Sequence, residues 1–319
     1  MKTAWIAALC AALLPLGAAA QNYPHRPIRL VVPWAAGTPA DVAARVVGER
    51  MAAGLGQPIV VDNKPGAAGT IGLSDVLRQP ADGYTLYSLS SASLVAPLLY
   101  PTQKVDFLKS LTPVGHESWN YNVLVVPTQS AIKSTKELID TARAKPGSLS
   151  FASGGNGTPA HLAGELFNQQ LGIKTTHLPY NQFPMAIADL LSDRANFMFL
   201  TASAALPQIQ GGKLRPLATT GAQRLPALKD VPTMAELGYS AFVLRSFDGF
   251  AAKAGTPPEI VKRLNAELNA ALSSPEVRER FAPLALEADP MPPEAFGKVI
   301  ATESEKWLRV ARDAKISVD

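Results

Sequence analysis

The sequence predicts an α/β protein of two domains, each a mainly parallel sheet flanked by helices. Three features predict it. Short apolar runs of strand length alternate with longer segments of helical period along most of the chain. The strand runs are continuously apolar, as strands covered on both faces require. The alternation comes in two series with a break near residues 120–125, and 319 residues suffice for two cores.

The first series opens with "IRLVVP" (28–33) as a buried strand. "DVAARVVGERMAAGLG" (41–56) follows as a helix, with Val42, Val46 and Val47 on one side and Gly at its end. Then come strand 59–63, helix 71–79 and strand 84–90. "VLVVP" (123–127) opens the second series, which continues with helix 135–145, strand 149–152, helix 160–171, strand 174–178, helix 184–192, strand 196–200, helix 203–211 and strand 214–220. A return crossing is expected near "FVLRSFDGF" (242–250), and helices 258–273 and 293–315 close the chain. The expected division is 21–122 plus 246–319 as the first domain and 123–245 as the second.

Residues 1–20 stand apart. Met1-Lys2 gives a positive start, and "AWIAALCAALLPL" is too short to span a bilayer as a mature helix. "GAAAQ" offers a small-x-small cleavage site at Ala18 and Ala20, so a secretory signal peptide cleaved before Gln21 is expected, a membrane anchor being the alternative. Bulky Leu9 ahead of Cys10 argues against a lipoprotein. The chain's one cysteine lies in this segment, so no disulfide is expected in the exported protein, whose place is the periplasm. Cytoplasmic nucleotide cofactors are absent there, and none is expected. The net charge of +4 carries no basic run, which argues against nucleic acid.

In open α/β sheets, ligands sit beyond the carboxyl ends of strands, at helix starts. Two loops hold that position and share a motif: Gly37-Thr38-Pro39-Ala40-Asp41 and Gly157-Thr158-Pro159-Ala160-His161. Gly permits a positive φ, Thr serves as N-cap, and Pro loses no hydrogen bond at the first helical position. The helix behind presents free N–H groups and the positive end of its dipole to an anion. A third copy, Gly255-Thr256-Pro257-Pro258-Glu259, has no glycine-rich approach, so Gly-Thr-Pro alone is a helix-start device. The second copy adds Ser153-Gly154-Gly155-Asn156 before it, which favours an anion cradle.

Catalytic and metal patterns are thin. The four histidines, His25, His116, His161 and His177, have no metal-ligand spacing, and no metal site is expected. His161 is open between packing, capping and ligand contact, and His177 is equally open. "GxSxG" is absent, and nothing in the sequence places a base beside Ser153. No enzymatic activity is expected.

A set of blocks in order carries a resemblance: "YPHRPIRLVVPWAAGTPADVAARVV", "GQPIVVDNKPGAAGTIG", "PADGYTLY", "SFASGGNGTPAHLAGELF", "HLPY", "GGKLRPLATTG", "LKDVPTMAELG" and "AGTPPEIVKRLNAEL". From Tyr23 to about Lys315 the chain resembles the extracytoplasmic substrate-binding proteins of tripartite tricarboxylate transporters, the Bug family. The resemblance implies a two-domain periplasmic binding protein of Venus-flytrap, type II-like fold, acting as a monomer. It would deliver a small organic carboxylate to membrane transporter subunits or serve a membrane sensor kinase; a secreted hydrolase is the remaining alternative. It places the ligand between two loops that match Trp34, Ala36, Gly37, Thr38, Ala40 and Asp41 on one side. On the other they match Ser153, Gly155, Asn156, Gly157, Thr158 and His161.

Departures from the family pattern mark the expected specificity side chains. Tyr180-Asn181-Gln182 stands where Tyr-Lys-Gly is common, and Leu200-Thr201 where an Asp or Asn pair is common. Phe247 takes a position that is often Trp, and Asp248 one that is usually apolar. Arg245 would pair with a ligand carboxylate or with Asp248. Ser90 and Ser91, with Tyr87 and Trp119, lie at strand ends and are further candidates. A pocket of Trp34, Leu200 and Phe247 would suit a carboxylate with an apolar or aromatic body.

Overall fold

A long strand shared by two sheets organises the molecule. The computed structural model describes residues 23–103, 106–180, 183–240, 242–313 and 316; the expected signal peptide and Asn181-Gln182 lie outside them. The first series folds as β1 (Ile28–Val32), α1 (Pro39–Leu55), β2 (Ile59–Asn63), α2 (Thr70–Leu77) and β3 (Thr85–Ser90). A 3-10 turn over Ser91–Val95 leads into the short helices α3 (Ala96–Leu99) and α4 (Phe107–Ser110). Then β4 runs 17 residues, Leu111–Pro127.

The second series gives α5 (Thr135–Ala144), β5 (Ser150–Ser153), α6 (Pro159–Leu171), β6 (Thr176–Pro179), α7 (Phe183–Leu191), β7 (Met198–Thr201), α8 (Ala202–Gln210) and β8 (Leu214–Thr219). The chain returns through β9 (Arg245–Lys253) to α9 (Pro258–Ser273), α10 (Pro275–Phe281), β10 (Glu287–Ala288) and α11 (Pro293–Asp313).

Strands β1, β2 and β3 are mutually parallel, with β1 central. Between β3 and β4 lies β9, antiparallel to both, and β10 adds an antiparallel edge. Beyond Tyr121, β4 leaves β9 and pairs instead with β7 and β8, antiparallel to each. Strands β5 and β6 are parallel, and a parallel bridge joins Phe151 to Phe197 beside β7. Most strands of each sheet therefore point one way, with β9 and β10 running against the rest of the first sheet and β4 against the rest of the second. The first half of β4, which pairs with β9, was not read from sequence. Its segment "LTPVGHESWNY" contains Pro113 and Gly115 and buries His116, Glu117 and Ser118, so no apolar pattern marks it.

The cores follow the sheets. One face of the first sheet packs Leu30, Val32, Leu86 and Phe250 against Val46, Val47 and Met51 of α1 and Leu264 and Leu268 of α9. The other face holds Tyr87, Trp119, Phe247 and Phe296. Helix α11 reaches both sheets: Phe296 and Ile300 pack in the first, while Trp307, Val310 and Ala311 join Phe151, Phe167 and Phe199 of the second.

Trp307 is buried, and its indole N–H has no partner among the described residues. Trp307→Ala is expected to destabilise the protein by about 3–5 kcal/mol in urea unfolding. Trp307→Phe, which keeps most of the packing and removes the unmet donor, should cost far less.

Candidate functional site

Two helix starts repeat one geometry in different sheets. In the first, Gly37 has φ +81° and Thr38 is extended at φ −70°, ψ 156°. In the second, Gly157 has φ +77° and Thr158 has φ −67°, ψ 156°. Neither threonine caps its helix with its side chain. Each Oγ1 instead donates backwards at 2.8 Å, Thr38 to Ala35 O and Thr158 to Gly155 O. The glycine N–H is taken by the side chain four residues on: Gly37 donates to Asp41 Oδ2 at 2.9 Å, and Gly157 to His161 Nδ1 at 3.1 Å. The loop is thus tied to its own helix. The amides of Ala40 and Asp41, and of Ala160 and His161, lie in a first turn where the helix offers no acceptor.

The third motif departs from this pattern. Thr256 Oγ1 donates to Lys253 O in the same way, but the helix begins one residue later, with Pro257 at the N-cap.

Asp41 is therefore a positioning residue. Its buried carboxylate accepts from Gly37, from Arg45 Nε at 3.1 Å and from Asn63 Nδ2 at 2.8 Å. Asn63 also holds Trp34 O at 3.0 Å. Burial alone would push the Asp41 carboxyl up, but the bonds from Arg45, Gly37 and Asn63 outweigh it and leave it below the usual range.

His161 plays the same part in the second loop. Its ring stacks on His177 with centroids 3.7 Å apart, and Phe151 stacks behind His177 at 4.9 Å. His177 Nε2 lies 2.6 Å from Ser153 Oγ, which also bonds Gly155 N–H and O at 3.1 Å. Burial lowers His161 to about 3, with His177 adding to it, and lowers His177 to about 4. Both rings are neutral at neutral pH, as an acceptor for the Gly157 amide must be.

Other expected residues divide into several groups. Ala36 is exposed and Trp34 half-buried at the first loop, and Thr201 is half-buried at the start of α8. Tyr180 sits beside the second loop, its N–H on Ser153 O, but its hydroxyl is held by Asp189 Oδ2 at 2.8 Å. Asn156 lies within the loop, and Asn181 lies outside the described residues. Ser91 Oγ accepts from Phe247 N at 2.8 Å, whereas Ser90 Oγ is buried without a partner among the described residues. Ser90 pairs with Asp248 across β3 and β9, and Asp248 Oδ2 accepts from Asn120 Nδ2 at 2.8 Å. Burial raises Asp248 to about 7, against the Asn120 bond.

The apolar pocket expected from Trp34, Leu200 and Phe247 is not formed. Phe247 is fully buried on the sheet face opposite Asp248, against Trp119 and Phe296, because successive strand residues alternate. Leu200 is fully buried in the core of the second sheet. Arg245, two residues from Phe247 and so on its face, lies over the Trp119 ring at 3.4 Å and makes no ion pair with Asp248. Trp119 itself is buried, its Nε1 on Asp289 Oδ2. Tyr87 is buried with its hydroxyl on Gly69 O.

Sequence reasoning missed two features. Beyond β2, Gly66, Ala67, Ala68 and Gly69 all have positive φ (127°, 45°, 49°, 92°), a strained turn at the same sheet edge as Trp34. "PGAAG" hints at it through its glycines, but alanine does not advertise a left-handed backbone. The second is the pair of buried polar groups on β4, Glu117 and Ser118, hidden in a segment without strand pattern.

A bridging contact links the two loops' surroundings. A Cβ on Gly157 would collide with Leu99 Cδ1, so the second loop lies against the segment that follows Ser90-Ser91.

Comparison with known proteins agrees with this architecture. A family model described as "Tripartite tricarboxylate transporter family receptor" matches residues 43–316. Protein BugT of Bordetella pertussis is 38% identical over 296 residues, covering 92% of this chain and 91% of that one. A Rhodopseudomonas palustris protein solved with adipate is 32% identical with a TM-score of 0.84, covering 93% of this chain and 100% of the other. MatC from the same organism, solved with bound malate, is 29% identical with a TM-score of 0.80, covering 90% and 99%. These neighbours share the two-domain α/β fold of periplasmic binding proteins.

Two tests follow from the site. Gly37→Ala meets open space and carries only left-handed strain, about 1–2 kcal/mol. Gly157→Ala adds the Leu99 collision and should cost about 1–3 kcal/mol more in denaturant unfolding.

The histidine pair sets an acid limit. Its depressed folded pKa values, against 6.5 unfolded, give stability that is complete above pH 6.5 and lost as pH falls toward 4 and 3. Asp248 works oppositely: its raised pKa gives stability present below 3.8 and lost as pH rises through about 7. In thermal melts against pH, His161→Gln with His177→Gln should flatten the acid limb, and Asp248→Asn the limb near neutrality.

Proposed function

The chain belongs to the tripartite tricarboxylate transporter receptor family, and from that premise we propose that it captures a small organic carboxylate between two lobes in the periplasm and delivers it to a membrane transporter of that type. The observation that supports this reading is the matched pair of uncapped helix starts. The Thr38 and Thr158 hydroxyls are turned away from their helices, and the loops before them are tied by Asp41 and His161. Four first-turn amides are left for an anion. A carboxylate taking several charge-assisted hydrogen bonds, at about 1.5–3 kcal/mol each, reaches micromolar affinity, about −8 kcal/mol, after association costs. The neighbours solved with malate and with adipate are carboxylate binders of the same fold.

The lobes in this reading divide where the chain changes sheets. One crossing is at Tyr121–Asn122 in β4, and the other lies just before β9, where Leu244 N–H reaches Thr220 O. These are the hinge strands, and closure brings the α1 and α6 starts onto the ligand. Binding without turnover is the expected activity. Ser153 and His177 are close enough to resemble a nucleophile and base, but Ser153 is fully buried and its hydroxyl is engaged by both polar groups of Gly155.

The test is a thermal-shift and calorimetric screen of the protein from Gln21 onward against mono-, di- and tricarboxylates. A true ligand at 100 times its Kd stabilises the fold by about 2.7 kcal/mol and is recovered unchanged. Failure of every carboxylate to bind ligand-free, refolded protein would sink the reading.

A further inference from the structure

Five polar side chains on the first sheet have no task in anion capture. Register sets Ser90 opposite Asp248, and Asp248 opposite Ser118; Ser88 stands one pair below, opposite Phe250. Residues paired across strands share a face, here the face that α1 and α9 cover through Phe250 and Leu86. Glu117 occupies the irregular step between His116 and Ser118 and lies within electrostatic reach of Asp248.

All five are more than nine-tenths buried. Among the described residues, the hydroxyls of Ser88, Ser90 and Ser118 and both oxygens of Glu117 have no hydrogen-bond partner. Asp248 uses Oδ2 for Asn120, and its Oδ1 has no partner among the described residues. Neither acid has an ion-pair partner among them. The nearby cation, Arg245, lies on the opposite face over Trp119, where His116 also packs.

Such a set is costly if left unanswered, about 1–3 kcal/mol for each unmet neutral group and more for a charge. Water or a polyol would meet the hydroxyls, but neither brings the positive charge that two neighbouring carboxylates call for. A compact ammonium brings three N–H donors and that charge together. The position is also right. Val31 pairs with Tyr87; three residues on from each stand Trp34 and Ser90, so the acids and the first loop meet at one sheet edge.

We propose that Asp248 and Glu117, with the Ser90 and Ser118 hydroxyls, receive an ammonium group of the ligand. The preferred ligand is then an amino carboxylate, its carboxylate on the starts of α1 and α6 and its nitrogen on the first sheet. Burial holds both acids above the usual carboxylate range, Glu117 well above it and Asp248 at about 7. The inference rests on the carboxylate reading above.

The experiment is calorimetry on ligand-free protein with pairs that differ only in the amino group: alanine with propionate, aspartate with succinate, phenylalanine with 3-phenylpropionate. In at least one pair the amino member should bind about tenfold tighter or more, a difference of about 1.4 kcal/mol. Asp248→Asn and Glu117→Gln should each narrow that gap. Ser90→Ala, which removes only an unpartnered hydroxyl, carries the same comparison if an acid variant fails to fold. Should the deamino member of each binding pair be equal or better, or the gap survive in the variants, the ammonium site is wrong while the carboxylate reading stands. Should no carboxylate bind in these pairs or in the wider screen, both fall.

Discussion

An α-helix begins with amides that nothing inside the helix can accept, and the candidate site depends on how α1 and α6 treat that surplus. The usual remedy is an N-cap hydroxyl turned onto the second or third amide. Here both N-cap residues are threonines, and both decline that role by bonding backwards to a loop carbonyl. The stability lost at the cap is offset within the loop, where Asp41 and His161 hold the glycine amide. A loop so fixed keeps the remaining donors in place before a ligand arrives. Pre-organisation of this kind lowers the ordering cost of binding. That Asp and His fill equivalent positions shows what matters there: a buried acceptor, whether anionic with Arg45 beside it or neutral in an aromatic stack.

The two starts belong to different sheets, and β4 is what relates them. One strand serves as a member of both ladders, so the sheets cannot shift independently along it. Bending at the crossing is cheaper than sliding, because sliding would break two registers at once. Helix α11 packs its first half on one core and its second half on the other, which further narrows the allowed motion. The contact of Gly157 with Leu99 sits in the same region. Packing thus restrains the relative position of the loops, and the closure proposed above would bend the chain at the crossings.

How much of this was legible depended on range. The helix starts were readable because Gly-Thr-Pro is a local code: each residue answers a requirement of its own backbone position. The strands of the two series were readable from continuous apolar runs. The first half of β4 was not, since its burial of His116, Glu117 and Ser118 is decided by distant neighbours such as Asp289 and Asp248. The candidate ligand-contact side chains were half legible. Strand alternation alone would have separated Phe247 from Asp248, but the resemblance suggested both as lining, and packing put Phe247 with Trp119 and Phe296. The roles of Asp41 and His161 required seeing which atom faced the glycine amide. No residue pattern records that.

The same folding rules that build the core leave an excess on one face. Apolar pairing explains Leu86, Phe250 and Ala252 on the lower part of β3 and β9. Moving toward the carboxyl edge, the same face turns to Ser88, Ser90, Asp248 and Ser118, although burial scarcely lessens. Sheet stability gives no reason for that change, because apolar residues of similar volume would be at least as favourable there. Two buried acids without a cation work against the fold near neutral pH. Residues that oppose stability and sit beside an uncapped helix start are what the proposed ammonium site requires, since its cation would come with the ligand.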